Sequence, residues 1–342
     1  MLDMVESIVM NVQKLEALPP PPGVIGSLRA GFEAVSSHIE LILLPLILDI
    51  FLWFGPRLSV DAVVSPLLPI MANPGRLPIN SASDLKRLTE AVEHFNLLSL
   101  LARLQLFPIG VSSLFAQKPP VETPFGSQQV VEVSSSPALF GLMFLLVLAG
   151  WIIGGLYFRW VSGTALGAPS GGEGISFMWA ILQTLILSVV WVVGLMILLL
   201  PILLVFSLLF VISPLLATGA AFVMLMLVFW LIVPLFFTPH GIFVRGQNAF
   251  YSIFTSWRMA RFTLPTSGLF VFCVFLLSQG LNYLWSVPAS DSWMALVGLA
   301  GHAFIATALL AASFVYYRDM NVWLQAVFEQ LQGKQSLPTQ HV

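Results

Sequence analysis

Two ionisable side chains lie inside apolar stretches of this chain, where a charge is costly. Asp49 lies in the stretch 39–57, and His302 lies in the stretch 292–317. Each is about ten residues from one end of its stretch, about 15 Å along a helix, and therefore near the middle of a bilayer. Either group could carry a proton or bind a polar substrate at that depth. Each could instead hold two helices together by hydrogen bonds, and both alternatives stay open.

Three arginines, Arg245, Arg258 and Arg261, form the second set of candidate residues. They lie in the segment 238–262, which has no acidic residue, and they follow 71 residues (174–244) without Asp, Glu, Lys or Arg. Arg258 and Arg261 are three residues apart, so they share one face of an amphipathic helix. We expect them to contact lipid headgroups or an acidic partner, or to serve only as topology anchors.

The sequence has none of the motifs G-x-S-x-G, H-E-x-x-H or G-x-x-x-x-G-K-[ST]. Their absence removes the common signatures of serine hydrolases, zinc proteases and P-loop nucleotide-binding proteins. His38 and Glu40 have no further metal ligands nearby in the sequence, and the single cysteine, Cys273, cannot form a disulfide within the chain. We therefore predict no catalytic residue, no metal site and no cofactor, and a protein that is not an enzyme.

The elements that position these residues follow from composition. Of 342 residues, 58% are hydrophobic and only 9% are charged, against about 25% charged residues in soluble domains. So few charges cannot cover a soluble protein, and the long apolar stretches need lipid around them. The sequence predicts an all-α polytopic integral membrane protein with about six transmembrane helices plus amphipathic interfacial helices. The net charge of −2 gives no basic excess, so we expect no nucleic-acid partner.

Apolar stretches and their interruptions divide the chain into five regions. The stretch 97–116, inside the one large polar insertion, either packs as an interfacial helix or spans the membrane. A helix at 3–17 is predicted before the first span. The regions are a cytoplasmic amphipathic N-terminal region (1–38), a first transmembrane helix (39–57), an extracytoplasmic insertion (58–136), transmembrane helices two to six (137–317) and a cytoplasmic C-terminal tail (318–342).

The distribution of Lys and Arg predicts the orientation. The positive-inside rule places short basic segments in the cytoplasm. With six spans, the short turns near 212–219 and 287–291 contain no Lys or Arg, so they face outwards. The N- and C-termini are then cytoplasmic, and we expect an integral protein of the bacterial inner membrane. Eight residues lie on the cytoplasmic side: Lys14, Arg29, Arg159, Arg245, Arg258, Arg261, Arg318 and Lys334.

The segment after Arg245 also resembles part of a known group of proteins. Gly246, Ala249, Phe250 and Ser256 precede a late predicted span, within about 230–317. This arrangement is similar to a loose group of bacterial six-span membrane proteins of unknown function. The group includes the membrane domain that precedes some glycerophosphodiester phosphodiesterases. The insertion 58–136 departs from that pattern, and no phosphodiesterase domain follows, so the resemblance implies no activity.

The sequence favours one function and leaves others open. Several amphipathic segments and few buried polar residues favour a non-enzymatic accessory, scaffold or assembly subunit. Its expected partners are membrane lipids and other membrane protein subunits. The alternative is a transporter or permease for a small or lipid-like solute, which would use Asp49 and the proline-broken third and fourth helices. An intramembrane enzyme is the third possibility.

Overall fold

The fold is known from a computed structural model, which describes residues 20–68, 82–102, 109–120, 122–167 and 176–333. Within these ranges the chain is mostly helical and its few strands are two or three residues long, which confirms the predicted all-α class. The predicted helix at 3–17 lies outside them, as do residues 69–81, 103–108, 121, 168–175 and 334–342. The α-helices are α1 (Val24–Ser37), α2 (Leu43–Phe54), α3 (Asp61–Val64), α4 (Ala82–Glu93), α5 (Leu114–Gln117), α6 (Ser136–Ala165), α7 (Phe177–Ile212), α8 (Pro214–Phe236), α9 (Thr238–Arg245), α10 (Ala249–Trp285) and α11 (Ala295–Gly333).

Among the described residues, five helical segments are each long and apolar enough to cross a membrane: α6, α7, α8 continued by α9, α10, and α11. They correspond to predicted spans two to six. α10 is longer than the predicted fifth span because it includes the amphipathic residues 249–262, which we call the arm. Thr263 has non-helical angles (φ −123°, ψ 20°) two residues before Pro265. Proline removes a backbone donor and clashes with the preceding turn, so the chain kinks between the arm and the span.

The predicted first span, 39–57, follows a sharp bend in the chain. α1 and the helical segment Ile39–Phe54 meet at an angle of 94°, and the break falls at His38. Val24, at one end of this pair, packs with the cluster around Met320 of α11. Trp53, at the other end, donates from Nε1 to the carbonyl of Ser290 at 2.7 Å, just before α11 begins. The bent pair therefore contacts α11 at one end and the turn before α11 at the other, and its two helical segments taken together are long and apolar enough to cross a membrane.

α1 joins the bundle through a face of small residues. Its buried positions, Ser27, Gly31 and Val35, are four apart and therefore share one side of the helix. A Cβ atom on Gly31 would lie 2.4 Å from the backbone nitrogen of Ala312 and 2.5 Å from the carbonyl oxygen of Ala308. Only glycine permits this separation, which is the close approach that small residues allow between membrane helices.

The insertion 58–136 returns into the helix bundle. Two strand pairs lie in or next to the insertion. Arg57–Ser59 is parallel to Val130–Glu132, and Glu122–Thr123 is antiparallel to Gly126–Ser127. Two other segments of the insertion, 97–102 and 109–117, contribute buried residues to the main apolar core, among them Ile109 and Leu114. A Cβ on Gly150 of α6 would lie 2.5 Å from the carbonyl oxygen of Leu101. In its described residues, the stretch 97–116 is therefore packed inside the protein and is not a continuous spanning helix.

Candidate functional site

Asp49 is fully buried, and the insertion holds its carboxylate. Ser113 Oγ donates to Asp49 Oδ1 at 2.5 Å. The N–H of Phe115 donates to the same oxygen at 3.0 Å, and the N–H of Leu114 donates to Oδ2 at 3.1 Å. These two N–H groups begin α5, where a helix offers them no acceptor of its own. Asp49 supplies that acceptor and connects α2 to the insertion.

His302 contacts the same short segment. Its Nε2 lies 3.0 Å from Ser112 Oγ, and the ring is 5% exposed. Ser112 and Ser113 are neighbours in the chain, so two successive side chains reach the two ionisable residues that the sequence singled out separately. The structure thus brings Asp49 and His302 to one junction, formed by residues 112–115 between α2 and α11.

Sequence reasoning missed both serines. One signal was present: Ser113 precedes an apolar run, and serine is a preferred residue at a helix N-cap. The structure has this cap, because Ser113 Oγ accepts from the N–H of Ala116 at 3.0 Å. No comparable signal marks Ser112, since its partner His302 lies 190 residues further along the chain.

The junction is a set of completed hydrogen bonds rather than an open reaction site. Three donors occupy the two oxygens of Asp49, and no part of its side chain reaches the surface. A substrate could reach the carboxylate only if the residues that enclose it moved. Among the described residues, no group of three or more His, Cys, Asp or Glu side chains is arranged to hold a metal ion.

A cavity of 360 Å³ lies beside the junction, between α6, α7, α8, α10 and α11. Apolar side chains form most of its wall, with hydroxyl groups from Ser112, Ser278 and Ser313. The sequence TPHG suggests a turn at His240, but this residue is buried in α9 and also lines the cavity. Its Nε2 lies 2.7 Å from Ser313 Oγ, so the imidazole ties α9 to α11.

The three candidate arginines are all exposed, and the structure groups them differently from the sequence. Arg245 ends α9, while Arg258 and Arg261 lie on the arm. Arg245 and Arg258 line one small cavity of 110 Å³, and Arg261 is not part of its wall. The guanidinium carbon of Arg258 lies 5.8 Å from the centre of the Phe328 ring, within the range of a cation–π contact.

No family model, curated protein or solved structure matches this chain. The resemblance to the six-span bacterial group therefore stays a prediction.

Proposed function

We propose that the protein is a non-enzymatic scaffold or assembly subunit of the bacterial inner membrane, which contacts another membrane protein through a lipid-exposed surface. It crosses the bilayer six times, with α1 and α2 forming one broken span, and both termini are cytoplasmic. The observation that carries the proposal is the pair of long helices α7 and α8. We call residues 189–230 of this pair the apolar hairpin.

The apolar hairpin makes little contact with the rest of the chain. α7 buries side chains only in its first third, up to Ser188. No residue between 189 and 212 is fully buried, and most large side chains of α8 up to Trp230 are exposed. The hairpin also contains no Asp, Glu, Lys or Arg. Such a surface requires lipid or another protein to cover it.

The exposed part of α7 is long enough to cross the bilayer. Residues 189–212 correspond to about 36 Å of helix, whereas the hydrocarbon core of a bilayer is about 30 Å thick. A tilt of about 30°, within the usual range, fits this length to the core. The hairpin therefore offers an uncharged surface over the full depth of the membrane, where another membrane protein can pack against it.

The contacts of Asp49 favour this proposal over the transporter alternative. A carrier built on Asp49 needs a carboxylate that a solute can reach. In this fold the carboxylate is enclosed and accepts three hydrogen bonds from residues 113–115. These contacts support a role for Asp49 in positioning the insertion.

Site-specific photo-cross-linking in cells tests the proposal. A photoreactive amino acid would replace Leu204 or Leu225 of the hairpin, which are 60% and 62% exposed. Leu276 on α10, which is 58% exposed, is the matched control. We expect one reproducible protein adduct at the hairpin positions and a much weaker one at 276. Adducts with lipid alone at both hairpin positions would refute the proposal.

A further inference from the structure

A small polar cavity lies where α9, the arm and α11 meet. Its volume is 110 Å³, which is several times the space of one water molecule and comparable with a phosphate group. Five of its wall residues determine its chemistry: Arg245 from α9, Tyr251 and Arg258 from the arm, and Gln325 and Phe328 from α11. Three separate helices thus place their polar side chains around one space.

The wall of this cavity is positively charged. In the described part of the chain, Arg245 and Arg258 form no ion pair with a carboxylate, whereas Arg29 and Arg318 do. The contact with Phe328 restricts where the Arg258 guanidinium can lie. Each guanidinium has five N–H donors in a planar array that matches phosphate oxygens, and the Tyr251 hydroxyl and the Gln325 amide supply further donors. An anion with several oxygens fits this set of donors.

An apolar stripe runs next to the cavity on the same arm. Tyr251 and Arg258 face the cavity, while Phe250, Phe254 and Trp257 are exposed on the adjacent side of the helix. Phe250, Phe254 and Trp257 are spaced by four and three residues, so they form a continuous row. A free phosphate ion has no apolar group that could contact this row, but the acyl chains of a phospholipid can lie along it.

We propose that the cavity binds the phosphate of an anionic phospholipid, whose acyl chains lie against Phe250, Phe254 and Trp257. Arg245 and Arg258 bind the phosphate oxygens, and the kink at Thr263 sets the angle of the arm so that cavity and stripe face the same lipid. Arg261 stays outside the site and contributes only general attraction to the membrane surface. This goes beyond the proposed scaffold function, because no residue of the apolar hairpin lines the phosphate cavity. The stripe reaches the hairpin only at Trp257, whose ring centre lies 4.9 Å from that of Trp230.

Native mass spectrometry of the purified full-length chain in detergent tests the site. The probes are phosphatidylglycerol, phosphatidylcholine and inorganic phosphate. We expect one phosphatidylglycerol to bind at least about tenfold more tightly than phosphatidylcholine. Arg258→Gln should weaken phosphatidylglycerol binding about tenfold or more, as expected for the loss of charge-assisted hydrogen bonds. Arg261→Gln, the matched control on the same arm, should change it less than twofold.

Two further results distinguish a lipid from a soluble anion. Phe254→Ser should weaken phosphatidylglycerol binding several-fold, because it interrupts the apolar stripe, and Arg245→Gln should act like Arg258→Gln. Equal losses for Arg258→Gln and Arg261→Gln would show general surface attraction and would overturn the proposal. Displacement of the lipid by millimolar inorganic phosphate, together with full binding by Phe254→Ser, would assign the cavity to free phosphate and overturn it as well.

Discussion

Replacing Asp49 by leucine should destabilise the protein more than replacing it by asparagine. Oδ1 accepts two hydrogen bonds, from Ser113 Oγ and the N–H of Phe115, and Oδ2 accepts one, from the N–H of Leu114. Asparagine keeps one oxygen and can retain the first two bonds. Leucine retains none, so both backbone N–H groups lose their acceptor inside the protein.

The structure gives an approximate size for this difference. A buried donor without a partner costs about 1–3 kcal/mol. Compared with asparagine, leucine loses one additional backbone partner and the Ser113 hydroxyl partner, so we expect it to be about 2–4 kcal/mol less stable. Both replacements are uncharged and similar in size, so the cost of burying a charged carboxylate affects neither. The comparison therefore isolates the hydrogen bonds of the junction.

Reversible unfolding in mixed detergent micelles would measure the difference as a change in the free energy of unfolding. Asp291, which is exposed in the turn before α11, is the control position. Its replacement by asparagine or leucine should change stability by less than about 0.5 kcal/mol. If leucine at position 49 is as stable as asparagine, then Asp49 does not hold the insertion in place, and the structural role assigned to it is wrong.

Two other predictions concern packing and topology. Gly31→Ala should cost about 1–3 kcal/mol in the same unfolding assay, because the added carbon meets the backbone of Ala312. Gly26→Ala, where nothing lies within 4 Å, should be neutral or stabilising, and equal losses at both positions would contradict the close contact of α1 with α11. Reporter fusions should show cytoplasmic positions after residues 165, 245 and 335 and an outside position near residue 120. An outside signal after 245 would contradict the six-span topology.

The helical class and the approximate spans were predictable because they depend on properties that add up along the chain. Hydropathy over about 20 residues determines whether a segment can lie in lipid, and the predicted spans two to four lie close to α6, α7 and α8. Pro265 likewise marks a break wherever it occurs in a helix. For the same reason the arm was predictable as a separate amphipathic element, although α10 continues through it with a kink.

The packing of α1, which precedes the predicted first span, was harder to predict because this helix contains Arg29 and Glu33. These two charges pair with each other at 2.7 Å on the exposed side of α1, so they do not prevent the opposite side from packing. Whether Gly31 belongs to the bundle depends on Ala308 and Ala312, which are far away in the chain. A local pattern of small residues cannot specify such a partner.

The junction at Asp49 and the cavity lined by Arg245 and Arg258 could not be predicted from the sequence, because both form only in the tertiary structure. The sequence identified Asp49, His302 and the three arginines by residue type, since charge inside or beside an apolar run is unusual in any fold. Their partners could not be identified in this way. Ser113 is 64 residues from Asp49, and the pairing of Arg245 with Arg258 in one cavity depends on where α9, the arm and α11 meet. Burial preferences are local and additive, whereas hydrogen-bond partners and cavities depend on the arrangement of distant segments, which only the packed fold determines.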